Sequence, residues 1–567
     1  MTDPTPRLTT TPVATGLPGS SAPYVIGLDF GTESARAVLM RTDRSQILAH
    51  AVHLYRRGVI QGALTGTPLP RSTALQDPDD YLLAAEDLLK QMAVQLPSGD
   101  GVAGLGVAFT SSSPLPTSET GEPLSRRFPD EPHAYVKLWK HRAAEIHSRP
   151  FQTLEDLDYY GGTSSPEWLP SKAQELAAEA PEVWALAERY LEAGDWLVWQ
   201  LSGQEVRSTT QAGYKAHYRN GQYAQPVLDH LGTRLGPMAP QPPGTSAGQM
   251  SAAWQARTGL PNRPQIAVSA IDAHAAALGL GLIRPGELTA ILGTSACYLI
   301  SSETEQAVPG ISGVADGGIL PGLYGYEAGQ AGFGDVLNWF VRTFPATASC
   351  SEAESFSHYT TLAARLRPGE HGLLGLDWFN GCRTPLDRGD LSGLILGYST
   401  TTTPAELYRA LLESLCFGAR RVLDTFDRSD VTVSRVVLTG GLSERHALLV
   451  QLLCDVLGRP LEVAVGESAS ARGAAVHAAM AAGACSDFAQ AARHLADTRT
   501  RTVTPDPGAV PVYQVLYSAY LQLSDLMAGS SVMRQVQALA TEVLAARVDR
   551  TTSARMLRPT AHLEVPE

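Results

Sequence analysis

Two short stretches, one in each half of the chain, share a pattern that few folds accommodate. The first is YVIGLDFGTESAR, residues 24–36. After Pro23, Tyr24 to Leu28 form an apolar run with adjacent β-branched Val25 and Ile26, which reads as a buried strand. A carboxylate, Asp29, stands at its end, and Gly31, Thr32 and Ser34 follow at once. Glycine keeps the backbone bare, so N–H groups and the Thr32 and Ser34 hydroxyls are free to donate to a polyphosphate. Asp29 then sits where a magnesium ion or its water shell can be held. A tight β-hairpin with Asp29 as turn former fits the same residues. The second stretch, LTAILGTSA (288–296), repeats the strand, the pair Gly293-Thr294, the small polar Ser295 and a further strand at Cys297 to Ile300. Two like turns suggest a duplicated fold with a nucleotide clamped between its halves.

A single hydrophobic core stops growing at about 250 to 300 residues, so a chain of 567 needs at least two domains. The sequence divides into a disordered Thr- and Pro-rich tail at 1–21, an N-terminal lobe at 22–286 and a C-terminal lobe at 287–530, which begins near the breaker pair Pro285-Gly286. An extension at 531–567 follows, with one helical-looking piece, Val536 to Val548. Against 57 acidic side chains stand 44 basic ones, a net charge of −13 without a basic run. That balance argues against nucleic acid and anionic membranes as partners and favours small soluble substrates. The six cysteines, at 297, 350, 382, 416, 454 and 485, lack CxxC spacing and read as scattered thiols in a reducing cytosol. The start has no secretion signal, and no stretch reaches about 18 consecutive apolar residues, so a cytoplasmic protein is expected.

Two strands, Ala35 to Met40 and Ile47 to Leu54, continue the first turn as a meander, and a helix follows at Pro78 to Gln95, its apolar positions recurring at three and four. The strand Gly104 to Ala108 runs into FTSSSPLPT, whose hydroxyls suit a polyol wall or a solvated turn equally well. Only five of the 44 cations are lysines, at 90, 137, 140, 172 and 215. In so arginine-rich a chain, Lys215 in AGYKAHY marks a place for a compact ammonium, unless it is a surface residue. Trp139, in HAYVKLWKHR, is either a wall for the C–H face of a sugar or core.

If a nucleotide clamped between the turns passes a phosphoryl group to an alcohol, a base is needed on the attacking hydroxyl. The candidate is Asp272, which follows the strand Gln265 to Ala270 and precedes a small-residue helix, Ala273 to Leu280. Ligands of open α/β sheets lie at such strand ends, although a helix N-cap explains the aspartate locally. Glu327, in GYEAGQAGFGD, offers two acceptor oxygens to a pair of sugar hydroxyls. With Ala328 to Phe340 looking helical, it is otherwise a helix-start carboxylate. Val436 to Gly441 reads as a strand ending in Gly440-Gly441 before a helix at Leu442 to Leu457, and Ala471 to Ala475 starts another small-residue helix.

Taken in order, GLDFGTESARAV, LGTS, GYEAGQAGFGD and TGGLSE resemble the FGGY carbohydrate kinases of the actin-like ATPase superfamily, over roughly residues 22 to 525. The resemblance implies an α/β fold of two actin-like, ribonuclease-H-like lobes with an ATP and sugar cleft between them. It is strongest toward the ribulose-phosphorylating branch. That implies conversion of L-ribulose to its 5-phosphate in L-arabinose breakdown, with another pentulose or pentitol as the alternative and a non-catalytic actin-fold ATPase switch as a further one. It assigns the base to Asp272, sugar contacts to Ser111, Lys215 and Glu327, and the β/γ-phosphates to Thr294 with its neighbours Gly293 and Ser295. It lays Gly440 and Gly441 against adenine and ribose, and it implies ATP and Mg2+ as cofactors; a homodimer is left open. Ala108 stands where the branch carries Asp, and Pro166 and Tyr398 are further departures. The first raises an expectation of altered sugar preference.

Overall fold

The computed structural model describes residues 24–540 and 543. The tail at 1–21 and the end of the expected helix Val536 to Val548 lie outside them, while 532–540 is helical. Among the described residues two seven-stranded sheets carry the fold. The first contains β1 (Tyr24–Phe30), β2 (Ser34–Arg41), β3 (Ile47–Leu54), β4 (Val102–Phe109), β5 (Ser246–Gln249), β6 (Gln265–Ala267) and β7 (Ala270–Ile271). Its order is β5-β6-β4-β1-β2-β3, with β7 paired to β4. The second contains β8 (Glu287–Leu292), β9 (Ala296–Ser302), β10 (Gly313–Asp316), β11 (Tyr324–Gln330), β12 (Arg435–Thr439), β13 (Leu461–Ala464) and β14 (Thr500–Val503), in the order β10-β11-β9-β8-β12-β13-β14.

The two sheets repeat one plan. β1 is antiparallel to β2 and parallel to β4, and β8 is antiparallel to β9 and parallel to β12. Each sheet therefore starts with a hairpin and continues with a parallel strand on the other side of its first strand. All seven residues of β1 are buried, Asp29 included, and the apolar run that precedes the aspartate is what a central strand covered on both faces requires.

Helix α1 (Pro78–Gln95) occupies the expected residues. Asp77 caps it by accepting from Asp79 N–H, Pro78 opens its first turn, and Tyr81, Leu88, Leu89 and Met92 are buried in the core of the first sheet. Further along lie α2 (Leu169–Glu179), α3 (Thr209–Lys215), α4 (Asp272–Gly279), α5 (Gly334–Thr343) and α6 (Ala469–Ala481). None of the helices among the described residues is long and apolar enough to cross a membrane. The six cysteines are free thiols, four of them buried.

Two sequence expectations are corrected. Ala328 to Phe340 is not one helix, because β11 runs through Gln330 and α5 begins only at Gly334. Four glycines between 325 and 334 make helix costly, and the strand is fixed from outside, Glu327 lying opposite Leu299 on one side and Gly313 on the other. The helix expected at Leu442 to Leu457 is divided at His446, whose imidazole caps the second piece, Ala447–Leu457.

The halves meet where α4 and α6 cross. α6 belongs to the second half but lies on the first sheet, over Gly27, Gly104 and Gly106; a Cβ on these would run into the carbonyl oxygens of Ala471, Ala478 and Ala474. Gly279 of α4 and Gly473 of α6 bring the helix backbones equally close, against Ala469 and Ala275. At these five glycines the seam has no room for a side chain. Gly473→Ala is expected to lower stability by about 1–3 kcal/mol, as overpacking does. Gly529→Ala, which meets open space, should leave the urea midpoint unchanged or slightly raised.

Candidate active site

The strands of the first sheet place two carboxylates at one end of it. In register, Asp29 of β1 lies beside Ala108 of β4, and Ala108 beside Ala270 of β7; one step on, Phe30, Phe109 and Ile271 align. Asp272 is the next residue and opens α4. Its Oδ1 accepts from Ala273 N–H at 2.7 Å. Burial first, and then the negative charge of Asp29, push the Asp272 carboxyl up to about 7, against the pull of Ala273 N–H and Lys215. Asp29 is likewise raised by burial, opposed by the Arg36 guanidinium 3.5 Å away.

The two Gly-Thr turns are built alike. Gly31 N–H donates to Ser34 O and Gly293 N–H to Ser295 O, each at 3.0 Å. This corrects the expectation that both amides are free for phosphate, since each closes its own turn. Thr32 Oγ1 accepts from Trp139 Nε1 at 3.1 Å, its hydroxyl hydrogen remaining available, while Ser34 is buried at the start of β2. The Thr294 carbonyl accepts from Phe333 N–H and Asp335 N–H at 3.0 and 3.2 Å, and the Gly293 carbonyl from Gly334 N–H at 3.0 Å, which pins the second turn to the start of α5. Gly440 has a φ of 92° and lies on Leu292 so closely that a Cβ would meet its carbonyl, so the chain after β12 needs glycine there.

A cleft of about 340 Å³ lies between the halves, bordered by Thr32, Ser111, Trp139 and Asp272 from the first and by Gly293, Thr294, Ser295 and Glu327 from the second. Asp29, Gly31, Ser34, Gly440 and Gly441 are not among the residues that line it. The cleft narrows into a slot of about 80 Å³ that holds Lys215. Lys215, at the end of α3, donates to both Glu327 oxygens at 2.8 and 2.9 Å across the halves. Burial would raise the Glu327 carboxyl, but the Lys215 ammonium first, with Arg383 adding to it, holds it below its ordinary range. His274, one turn into α4 and 3.7 Å from Glu327, is pushed down to about 4 by burial, so its ring is neutral at pH 7. The Ser111 hydroxyl is buried in the wall without a hydrogen-bond partner. A larger hollow of about 580 Å³ beside residues 217–228 contains none of these groups.

Ala108 borders neither cavity. It is fully buried with Ala270, Ala275 and Ala474 under the crossing helices, so this position lies in the seam and lines neither the cleft nor the slot. Two lining residues escaped the sequence reading of the site, Glu167 and Arg383, whose Nη2 donates to both Glu167 oxygens at 3.1 and 3.0 Å. The segments GGTSSPEW and DWFNGCRTP mark them in sequence, but nothing local says that they meet.

The C-terminal domain model of the FGGY family of carbohydrate kinases matches residues 288–482. The chain is 39% identical over 542 residues to a ribulokinase of Mycolicibacterium smegmatis, covering 90% of this chain and 94% of that one. It is 38% identical over 550 residues to a ribulokinase of Halalkalibacterium halodurans, covering 91% and 97%. The crystal structure of a xylulose kinase from Rhodospirillum rubrum shares the fold, with a TM-score of 0.74 at 23% identity over 89% of this chain and 98% of that one. With two α/β lobes closing on a pair of carboxylates and an interlobe Lys–Glu pair, and with relatives matched over nearly their whole length, the chain belongs to the FGGY family of carbohydrate kinases and is a sugar kinase acting on ATP and a sugar.

Proposed function

We propose that the protein phosphorylates L-ribulose to L-ribulose 5-phosphate, a step of L-arabinose breakdown, with Asp272 as general base. The observation that carries this reading is the placement of Asp272, held near 7, between the Thr294 turn on one side and the Lys215–Glu327 pair on the other. Ribulokinases identical at 38–39% over nine tenths of the chain support the choice of sugar.

A ketopentose entering the slot takes over the partners of Lys215 and Glu327. The ammonium donates to sugar oxygens, and the carboxylate accepts from sugar hydroxyls. The terminal hydroxyl then lies toward Asp272, whose carboxylate removes its proton as the oxygen bonds to the γ-phosphorus and the bond from that phosphorus to the β,γ-bridging oxygen breaks, releasing ADP. A base that titrates near neutrality gives this proton transfer both a large ionised fraction and a useful driving force. The neutral His274 leaves the Glu327 charge to Lys215 and the sugar. On the nucleotide side, the hydroxyls of Thr32, Thr294 and Ser295 border the phosphate end of the cleft, and Gly440 and Gly441 leave bare backbone for the nucleoside.

Mg2+ fits the residues present. Asp29 is a hard oxygen donor near enough to Asp272 for its charge to raise that carboxyl, and it has only Arg36 against it, at 3.5 Å. Bound with ATP, the ion would neutralise phosphate charge.

Purified protein should release ADP only with L-ribulose present; sugar-independent turnover, or a tenfold preference for D-ribulose, xylulose or ribitol, overturns the substrate assignment. Asp272→Asn is expected to lower kcat at least about 100-fold while ATP affinity is kept. A residual rate above a tenth removes the base role. Lys215→Ala should act mainly on the sugar, raising its KM about tenfold or more with the KM for ATP unchanged, since a charged hydrogen bond contributes roughly 1.5–3 kcal/mol. Because Asp272 works ionised, kcat/KM for the sugar should rise with pH and level off above about 7. Asp29→Asn removes a charge that raises Asp272, so the acid limb of any residual activity should move to lower pH; an unmoved limb would show that another group titrates.

A further inference from the structure

Three cavities adjoin beside Asp272. The 340 Å³ cleft, which Asp272 lines, and the 80 Å³ slot share a wall of Ser111, Trp139, Glu327 and Arg383. Beyond the slot lies an outer hollow of about 240 Å³, and the boundary between the two is made by Ser165, Glu167, Arg383 and Asp387. Arg383 borders all three spaces, and no other described residue does.

Its position is fixed by both halves. On the second, Thr384 N–H donates to Gly329 O and Gly329 N–H to Thr384 Oγ1, both at 3.2 Å, tying the arginine's backbone to β11 two residues beyond Glu327. On the first half, Glu167 receives Nη2 through both oxygens. Burial would raise the Glu167 carboxyl, but Arg383, Arg142 and Lys172 hold it low, so it stays ionised. A hydrogen bond from Thr163 to Asp387 backs the same wall. Nε and Nη1 of Arg383 have no protein acceptor among the described residues, and the residue lines the slot.

We propose that Arg383, clamped by Glu167, is a further substrate-binding residue that sets specificity for sugar length. Its free N–H groups donate to oxygens at the end of the sugar remote from Asp272, and its guanidinium closes the slot so that a chain one carbon longer has no room. This rests on the reading that the sugar spans Asp272 and the Lys215–Glu327 pair. Removal of the wall joins slot and outer hollow into one space.

The test measures kcat/KM for L-ribulose and for the six-carbon 2-ketoses L-psicose and L-tagatose, with wild type, Arg383→Ala, Arg383→Lys and Glu167→Gln. Arg383→Ala should raise the KM for L-ribulose at least tenfold, keep the KM for ATP within twofold, and raise the hexulose-to-pentulose ratio of kcat/KM at least tenfold. Arg383→Lys keeps charge but loses the fork, so its KM should also rise. Glu167→Gln unclamps the arginine with almost no change of volume, should shift the ratio in the same direction by a smaller factor, and decides the matter if Arg383→Ala fails to fold. A ratio within twofold of wild type in the folded variants overturns the proposal. Should wild type prefer another five-carbon sugar or polyol, the L-ribulose assignment falls, and the ratio taken with that compound and its six-carbon homologue still decides the role of Arg383.

Discussion

The molecule depends on a seam where backbone meets backbone. α6 lies on the first sheet, and α4 lies against α6, only because Gly27, Gly104, Gly106, Gly279 and Gly473 carry no Cβ. At that separation the two halves share one small-residue core of Ala108, Ala270, Ala275 and Ala474. Everything in the cleft follows from the spacing. Asp272 starts the helix that enters the seam, and the strand that carries Asp29 has α6 packed directly on it. A wider seam would move Thr294 and Glu327 away from Asp272 without altering any residue that lines the cleft. Interiors packed as tightly as crystals transmit such displacements instead of absorbing them.

Electrostatics then divides the cleft. At the Asp272 end burial outweighs the Arg36 guanidinium 3.5 Å from Asp29, and burial with the Asp29 charge outweighs Lys215 at Asp272, so each carboxyl is raised. In the sugar slot each carboxylate has a cation beside it, Lys215 with Glu327 and Arg383 with Glu167, and both stay low. One end therefore holds an acid able to take up or release a proton near neutrality, and the other holds fixed charges that orient. Burial is common to all four carboxylates, and the partner decides the outcome.

Much of this was legible in sequence where the signal is local. The hairpin turns, α1 and the strand-end position of Asp272 follow from periodicity and from a few small residues, and Lys215 stood out because lysine is rare in the chain. The misreadings share one cause, that the deciding partner is remote. Ala328 to Phe340 looks helical until β9 and β10 are set beside it as strands. The amides of Gly31 and Gly293 look free until each turn closes. Nothing local to Ala108 shows that α6, more than 350 residues on, is laid over it. Arg383 and Glu167 are 216 residues apart, and no pattern within either segment announces their pairing.

The Lys215–Glu327 pair has an effect on selectivity that its geometry makes unavoidable. Both charges are satisfied before any ligand arrives, so a guest that separates them must compensate both at once. One offering only an acceptor strands the carboxylate, and one offering only a donor strands the ammonium, each at a penalty larger than a single new hydrogen bond can offset. Rejection of wrong guests thus comes from what they leave unanswered, and solvent, which can answer both, is left with a closed door and little room behind it.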